Sequence, residues 1–478
     1  MGIGSVGIGS SILTQDVLDQ LRKADEAGQI TPIKLSLANE SDKKEALKIV
    51  EASMKNLTDS INEIKNHSLF DERKTIATGA AVEVTAQGGS DIQDFTLTVD
   101  ILATKQIEQS GKFASDSVKV ATAAGSMNLN IGGKDFVINY DETTTLKDLK
   151  NRINEVAGEK VNATLVQIAG GDTRLFLSSL ETGANRTDPL KTDEENSVTN
   201  ITITDTSGNL SNDGGTTAGG TSLTTGLTAI QNGTDATFKF NGQAITRASN
   251  NVDDLVSGLT IKLKEPGTSV VSISQDRENI MGKFDSFVAK YNAAISELNK
   301  LTKSSIDSKE RGIFSGESTI KSMKSALQSL TENIGGGVAI MADFGFDISK
   351  DGVMSLNKTK LNEKIDNNPK NVEAFFAGGT YTNTDLSTKE VTGSFTEMSN
   401  VVEGYTKYNA TLDLFKTSIT ENISALESRK ESATEKLDAR YERLKKQFIA
   451  YDMMISKINS TSSMFVQMAN AQIAGQNR

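Results

Sequence analysis

LDARYERLKKQFIAYDMMISKINS, residues 437–460, carries Leu437, Tyr441, Leu444, Phe448, Tyr451, Ile455 and Ile458 in alternating steps of four and three. Charges of both signs fill the positions between them, with Glu442 about one turn before Lys445 and Lys446. So narrow an apolar row on an otherwise wet helix is the pattern of a coiled coil; the apolar face of a core helix is broader. A row of this kind has to be closed by a second surface. The same spacing recurs near the other end of the chain, in Leu47, Val50, Met54, Leu57, Ile61 and Ile64. The two chain ends are therefore expected to pair, closing everything between them into a loop.

Composition narrows what lies in that loop. The 478 residues leave room for several domains. A formal net charge of −11 disfavours nucleic acid and anionic membrane surfaces as partners. No apolar run approaches the roughly 20 residues needed to span a bilayer, and no Sec-type signal is read at the start. With no cysteine, disulfides, thiolate metal sites and thiol nucleophiles are excluded. The single histidine, His67, excludes multi-histidine metal sites. Four prolines against 39 glycines permit long helices and many turns.

Along the chain, residues 1–13 are Gly/Ser-rich and are expected to be disordered in an isolated subunit. A helical pattern starts near Gln15, loosens at Gly28 and Thr31–Pro32, and resumes through Ile64. From about Thr75 the period becomes two: Phe95, Leu97, Val99 and Ile101 alternate with Thr96, Thr98 and Asp100. Further strands are expected at 127–131, 136–140, 161–168, 175–178, 201–204, 237–241, 259–263 and 270–274, with turns at Gly132–Gly133, Gly170–Gly171 and Asn241–Gly242. A short helix presents Leu146, Leu149, Ile153 and Val156, and 207–226 is a low-complexity linker. After Asp276 helical stripes return, one from Ile280 to Leu298 and one from Ile320 to Ile334, with short helices near 357–366 and 369–377. A polar connector (378–395) leads to a helix over about 405–474.

Strings that imitate catalytic motifs fail their context. Gly2, Gly4 and Gly7 satisfy G-x-G-x-x-G, but no strand precedes them. Asp343–Phe344–Gly345 spells a kinase motif whose other parts are missing. The string DISKDG (347–352) opens like a calcium loop, but Lys358 stands where the bidentate Glu belongs. His67 reads as a solvent-exposed or capping residue, and the paired carboxylates alternate with Lys and Arg as on solvated faces. No catalytic residue, cofactor or metal is expected.

Six local strings, in order, resemble the family of bacterial flagellar filament cap proteins, the FliD or hook-associated protein 2 family. They are GSSILTQDVLDQL (9–21), FTLTVDILATKQIEQSGKF (95–113), a flagellin IN-like segment (125–183), MGKFDSFVAKYNAAISELNKL (281–301), FGFDISKDGVMSLNKTKL with NNPKNVEAFF (344–376), and the opening stretch continued through NSTSSMFVQM (459–468). The loop at 184–230 is where such heads vary.

The fold class expected is α+β and multidomain: terminal helices forming a coiled coil, a helix-bundle domain, and β-rich head subdomains inserted between them. The divisions are 1–70 as disordered tip and leg, 71–80 with 276–395 as bundle, 81–124 with 228–275 as head, 125–227 as outer head, and 396–478 as C-terminal leg. Fourteen residues are expected at the assembly interface: Leu47, Val50, Met54, Leu57, Ile61, Ile64, Leu437, Tyr441, Leu444, Phe448, Tyr451, Ile455, Ile458 and Phe465. The resemblance implies a secreted, extracellular protein at the distal tip of the flagellum that promotes flagellin insertion and prevents loss of monomers. Its implied partners are further copies of itself in a ring, pentameric on the filament, together with flagellin, a cap-specific export chaperone and the flagellar type III export apparatus. No nucleic acid and no membrane insertion are implied; a host or surface ligand for the head is left open. The alternatives are an extracellular adhesin or another axial subunit, a flagellin or hook–filament junction protein.

Overall fold

The computed structural model describes residues 14–184, 200–210, 223, 227–330, 334 and 336–476. The glycine-rich start and most of the 207–226 linker lie outside the described residues. The chain divides into two compact units, Met1–His67 with Glu278–Arg478, and Ser68–Arg277.

The helical unit opens with α1 (Gln15–Gln29), capped by the Thr14 hydroxyl, which accepts from the Val17 amide. Ile30 separates it from α2 (Thr31–Ile64), whose first turn holds Pro32. Proline has no N–H to donate, so the ladder loses a rung at this junction.

The β unit follows. After a single turn, α3 (Ser68–Asp71), come β1 (Arg73–Thr78), β2 (Val82–Ala86), β3 (Asp94–Ile101) and β4 (Lys105–Gln109). Then β5 (Gly125–Ile131), β6 (Lys134–Tyr140), α4 (Leu146–Ala157), β7 (Val161–Ala169), β8 (Asp172–Thr182) and β9 (Ile201–Asp205) form the middle. The return is β10 (Thr228–Gln231), β11 (Ala236–Phe240), β12 (Gln243–Arg247), β13 (Asn251–Val252), β14 (Leu259–Leu263) and β15 (Gly267–Gln275). Sheet orders are β1-β15-β3-β11-β12, β13-β14-β2, β10-β4-β8-β7 and β6-β5-β9. The first two enclose one core, with Phe95, Leu97, Val99, Phe238, Ile261 and Ile273. The other two and α4 enclose a second, with Met127, Ile138, Leu149, Ile153, Leu175 and Leu177.

Local chemistry explains the turns. β11 and β12 meet at Asn241–Gly242, with φ of 46° and 86°, the left-handed pair that a type I′ hairpin demands. The Asn241 side chain also accepts from the Thr96 amide at 2.8 Å, tying the turn to β3. At α4 the Thr145 hydroxyl accepts from the Asp148 amide while the Asp148 carboxylate accepts from the Thr145 amide, satisfying two donors that a helix start leaves free.

Residues 71–80, expected with the helix bundle, belong to the β unit. β1 pairs antiparallel with β15 from Arg73↔Gln275 to Thr78↔Val270, so backbone hydrogen bonds hold it at the sheet edge.

Inside the second core, β4 turns Gln106 and Glu108 inward, and Gln106 Nε2 donates to Glu108 Oε1 at 2.5 Å. Burial pushes the Glu108 carboxyl above the usual carboxylate range, against the opposing hydrogen bond from Gln106. A carboxyl with a raised folded pKa binds its proton in the native chain before the unfolded chain does. Its contribution to stability is therefore lost as pH rises from the ordinary Glu value of about 4.3 through the folded pKa. Glu108→Gln keeps an acceptor and removes the charge. It is expected to raise the thermal midpoint of the β unit at pH 7 and to flatten its pH dependence above the ordinary Glu range. A variant less stable than the parent at pH 7 would overturn this account.

The chain re-enters the helical unit through α5 (Arg277–Thr302) and α6 (Ser318–Ser329). A 3₁₀ turn (Met341–Phe344), the hairpin of β16 (Phe346–Ile348) and β17 (Met354–Leu356), α7 (Lys358–Asn367) and α8 (Pro369–Ala377) follow. The polar connector at 378–395 contains a hairpin, β18 (Gly379–Thr382) with β19 (Thr388–Val391). Two helices end the described chain, α9 (Ser394–Thr406) and α10 (Thr411–Gln476), the latter 66 residues long. At about 1.5 Å per residue, α10 reaches on the order of 100 Å. The core of this unit is aromatic: the Phe284 ring lies 4.7 Å from Phe376, 5.5 Å from Phe346 and 5.9 Å from Phe395.

Candidate assembly surface

The two apolar rows have different fates. Leu47, Val50, Met54, Leu57, Ile61 and Ile64 are each at most 1% exposed, which a two-helix seam does not achieve. α2 packs against both α9 and α10. Polar ties flank the row: Lys416 Nζ with Glu51 at 3.1 Å, Lys43 with Glu317 at 2.8 Å, Lys283 with Glu63 at 3.1 Å, and Lys65 Nζ donating to the Ser399 hydroxyl at 3.0 Å. Expected as the partner of 437–465, this row is instead interior to the helical unit. The reason is geometric: α2 pairs with the start of α10, near Lys416, well before 437–465.

What meets the later part of α10 is α1. Leu18 and Ile30 bury with Leu437 and Tyr441, while Ala433, Leu444 and Phe448 lie partly buried around them. Sequence reasoning placed a helix here but missed Leu18 and Ile30 as the covering residues. The available signal was the short amphipathic pattern after Gln15. Polar contacts edge this small core. Arg22 pairs with Asp438 and, at 3.0 Å, with Glu26 of its own helix. Arg440 lies 3.1 Å from Asp25, and the Tyr441 hydroxyl donates to Asp25 Oδ2 at 2.8 Å. Burial first, and the Asp25 carboxylate second, raise the Tyr441 pKa.

Beyond Phe448 the row continues in the open. Tyr451 is 58% exposed, Ile458 60% and Phe465 62%, while Ile455 is half-buried. Met454, Met464, Val466 and Met468 widen it into an apolar strip. Exposed rows of this extent are uncommon on a finished surface and mark association faces. Methionine suits such a face because its unbranched thioether adapts to different partners.

The motif-like strings have structural work. Asp343 Oδ2 accepts from the Ile340 amide at 3.0 Å, Phe344 stacks on Phe375 with ring centroids 4.1 Å apart, and Gly345 adopts φ 92°. Asp347 to Gly352 form part of the β16–β17 hairpin and its turn. His67 Nδ1 lies 2.8 Å from Glu373 Oε1.

Paired helical ends, an aromatic helical core and an inserted β unit define a class, the chain-looped assembly protein whose first and last segments associate. Comparison with known proteins makes this specific. The family model for the N-terminus of flagellar hook-associated protein 2 matches residues 10–106, and that for its C-terminus matches residues 233–460. The chain is 26% identical over 442 residues to flagellar hook-associated protein 2 of Campylobacter jejuni, covering 84% of this chain and 69% of that protein. It is 32% identical over 261 residues to the Helicobacter pylori protein of the same name, where the match covers 52% of this chain and 37% of the relative. Its fold is similar to the crystal structure of the Escherichia coli flagellar cap protein FliD D1-D2-D3 domains. There the TM-score is 0.60 at 19% identity, covering 78% of this chain and 99% of that one. The chain belongs to the flagellar hook-associated protein 2 family.

Proposed function

We propose that this protein caps the distal tip of the bacterial flagellar filament, as an oligomer that promotes flagellin insertion and prevents loss of flagellin monomers. Family membership supports the capping role. The observation that carries the mechanism is the exposed continuation of the α10 row from Tyr451 to Phe465. It is an apolar face on a helix whose earlier portions are covered by α2 and α1. In this reading α10 is a leg that lays its strip on filament subunits, and the role is packing rather than chemistry. Further copies complete a ring, pentameric on the filament, and the molecule works outside the cell. It arrives there through the flagellar type III export apparatus with a dedicated chaperone.

The test is Ile458→Asp with Phe465→Asp. Both side chains are exposed, so the circular dichroism spectrum and thermal midpoint are expected to stay within error. Burying each side chain against a partner contributes about 1.5–3 kcal/mol, so the double variant is expected to lower cap binding by at least about a hundredfold. In cells, filaments should fail to grow and flagellin should collect in the medium. Normal swimming by the double variant would overturn the proposal.

A further inference from the structure

The short helix α1 buries a single side chain of its own, Leu18. It joins α2 at Gly28–Pro32, where Pro32 supplies no amide hydrogen and a β-carbon on Gly28 would meet nothing within 4 Å. Ile30 N still donates to Glu26 O at 2.9 Å and Lys34 N to Ile30 O at 3.0 Å, so the junction is weakened rather than cut. Beyond it, α2 is anchored independently by the buried row from Leu47 to Ile64. Among the described residues, α1 holds α10 through the buried Leu18, the hydrogen bond from the Tyr441 hydroxyl to Asp25 and an edge of partly exposed ion pairs built from Arg22, Asp25, Asp438 and Arg440, with Ile30 of the junction buried beside them.

What α1 covers is the other half of the observation. Leu437, Tyr441, Leu444 and Phe448 run in four-and-three register into Tyr451, Ile455 and Ile458, and Phe465 keeps the register past Ser462; these four later residues are exposed or half-buried. The covered and open halves are one row.

We propose that α1 is a hinged strap. It pivots at Gly28–Pro32, leaves α2 in place, and uncovers the row from Leu437 to Phe448. The free face of α10, which begins at Tyr451, then extends back to Leu437, about 14 residues or on the order of 20 Å. Release of the strap is a property of this chain alone. Its consequence, a longer face laid on the same filament subunit, rests on the capping reading above.

The absence of cysteine makes a clean test possible in the full-length chain. Hydrogen exchange is measured first. Amides of 15–29 are expected to exchange at least about 100-fold faster than those of 47–64, because straps open locally while cores open only with the whole unit. Asp25→Asn with Asp438→Asn should speed α1 a further ~10-fold by removing its ion pairs. Equal protection of α1 and α2 would overturn the strap.

The second arm introduces Arg22→Cys and Asp438→Cys and joins them with a short bis-maleimide; the control carries a single-ended maleimide on each thiol. The joined protein is expected to slow the α1 amides to the α2 level and to lose support of flagellin polymerisation in vitro, while the control retains it. If joined and control proteins support polymerisation equally, the strap has no part in assembly and the proposal fails while the capping reading stands. If the unsubstituted chain does not support it, the capping reading fails; if that chain does and the control does not, assembly needs the Arg22–Asp438 pair closed and the strap proposal fails.

Discussion

Phe284→Ala is expected to cost the helical unit about 3–5 kcal/mol, the range for deleting a fully buried aromatic ring. Phe284 is 0% exposed and touches three rings that reach it from distant parts of the chain: Phe346 in β16, Phe376 in α8 and Phe395 in α9. Those rings are edge-on or tilted, the arrangements that add to plain burial. Because they come from separate elements, no single neighbour can shift to fill the space. Against a total stability of about 5–15 kcal/mol, the loss is a large share. Urea unfolding followed by helical ellipticity should show a lower midpoint with little change in slope. A loss below about 1 kcal/mol would mean that the cluster repacks around the void.

Leu57→Asp is expected to be still more damaging, about 4 kcal/mol or more, since it combines the loss of a buried leucine with a charge placed where no water reaches. Leu57 is 0% exposed in α2. Ile458→Asp in α10, at a position 60% exposed, should change stability by no more than about 0.5 kcal/mol. Two leucine/isoleucine positions with the same spacing rule thus carry opposite predictions, one for folding and one for association. The pair is read by thermal unfolding of each single variant. Similar losses at both sites would contradict the assignment of one row to the interior and the other to a docking face.

Those two rows also show where sequence reading reaches its end. Spacing of four and three states that a helix needs a cover, and Leu47–Ile64 and Leu437–Ile458 state it equally well. It does not state which surface provides the cover, because that depends on register between segments some 400 residues apart in this 478-residue chain. Strands were legible where the alternation was chemically clean, as at Phe95, Leu97 and Val99, and hairpins where Asn241–Gly242 or Gly132–Gly133 forced the turn. β4 was not legible: it buries Gln106 and Glu108 and leaves Ile107 half-exposed, so its polar and apolar positions are inverted. The hairpin inside 378–395 was hidden in the same way, because its Thr, Gly and charged residues form ladder bonds without an apolar face. The exposed strip was visible as a pattern; that it stays open was not.

The pairing of β1 with β15 has a consequence for how the chain tolerates change. Arg73 faces Gln275 and Lys74 faces Ser274 across an antiparallel ladder, where facing Cα atoms stand about 4.5–5.5 Å apart. Some two hundred residues therefore leave and return through a gap that one or two residues could bridge. Such a doorway makes the β unit a cassette. Inserts of different length between Thr78 and Val270 leave the distance between Arg73 and Gln275 unchanged as long as this ladder is kept.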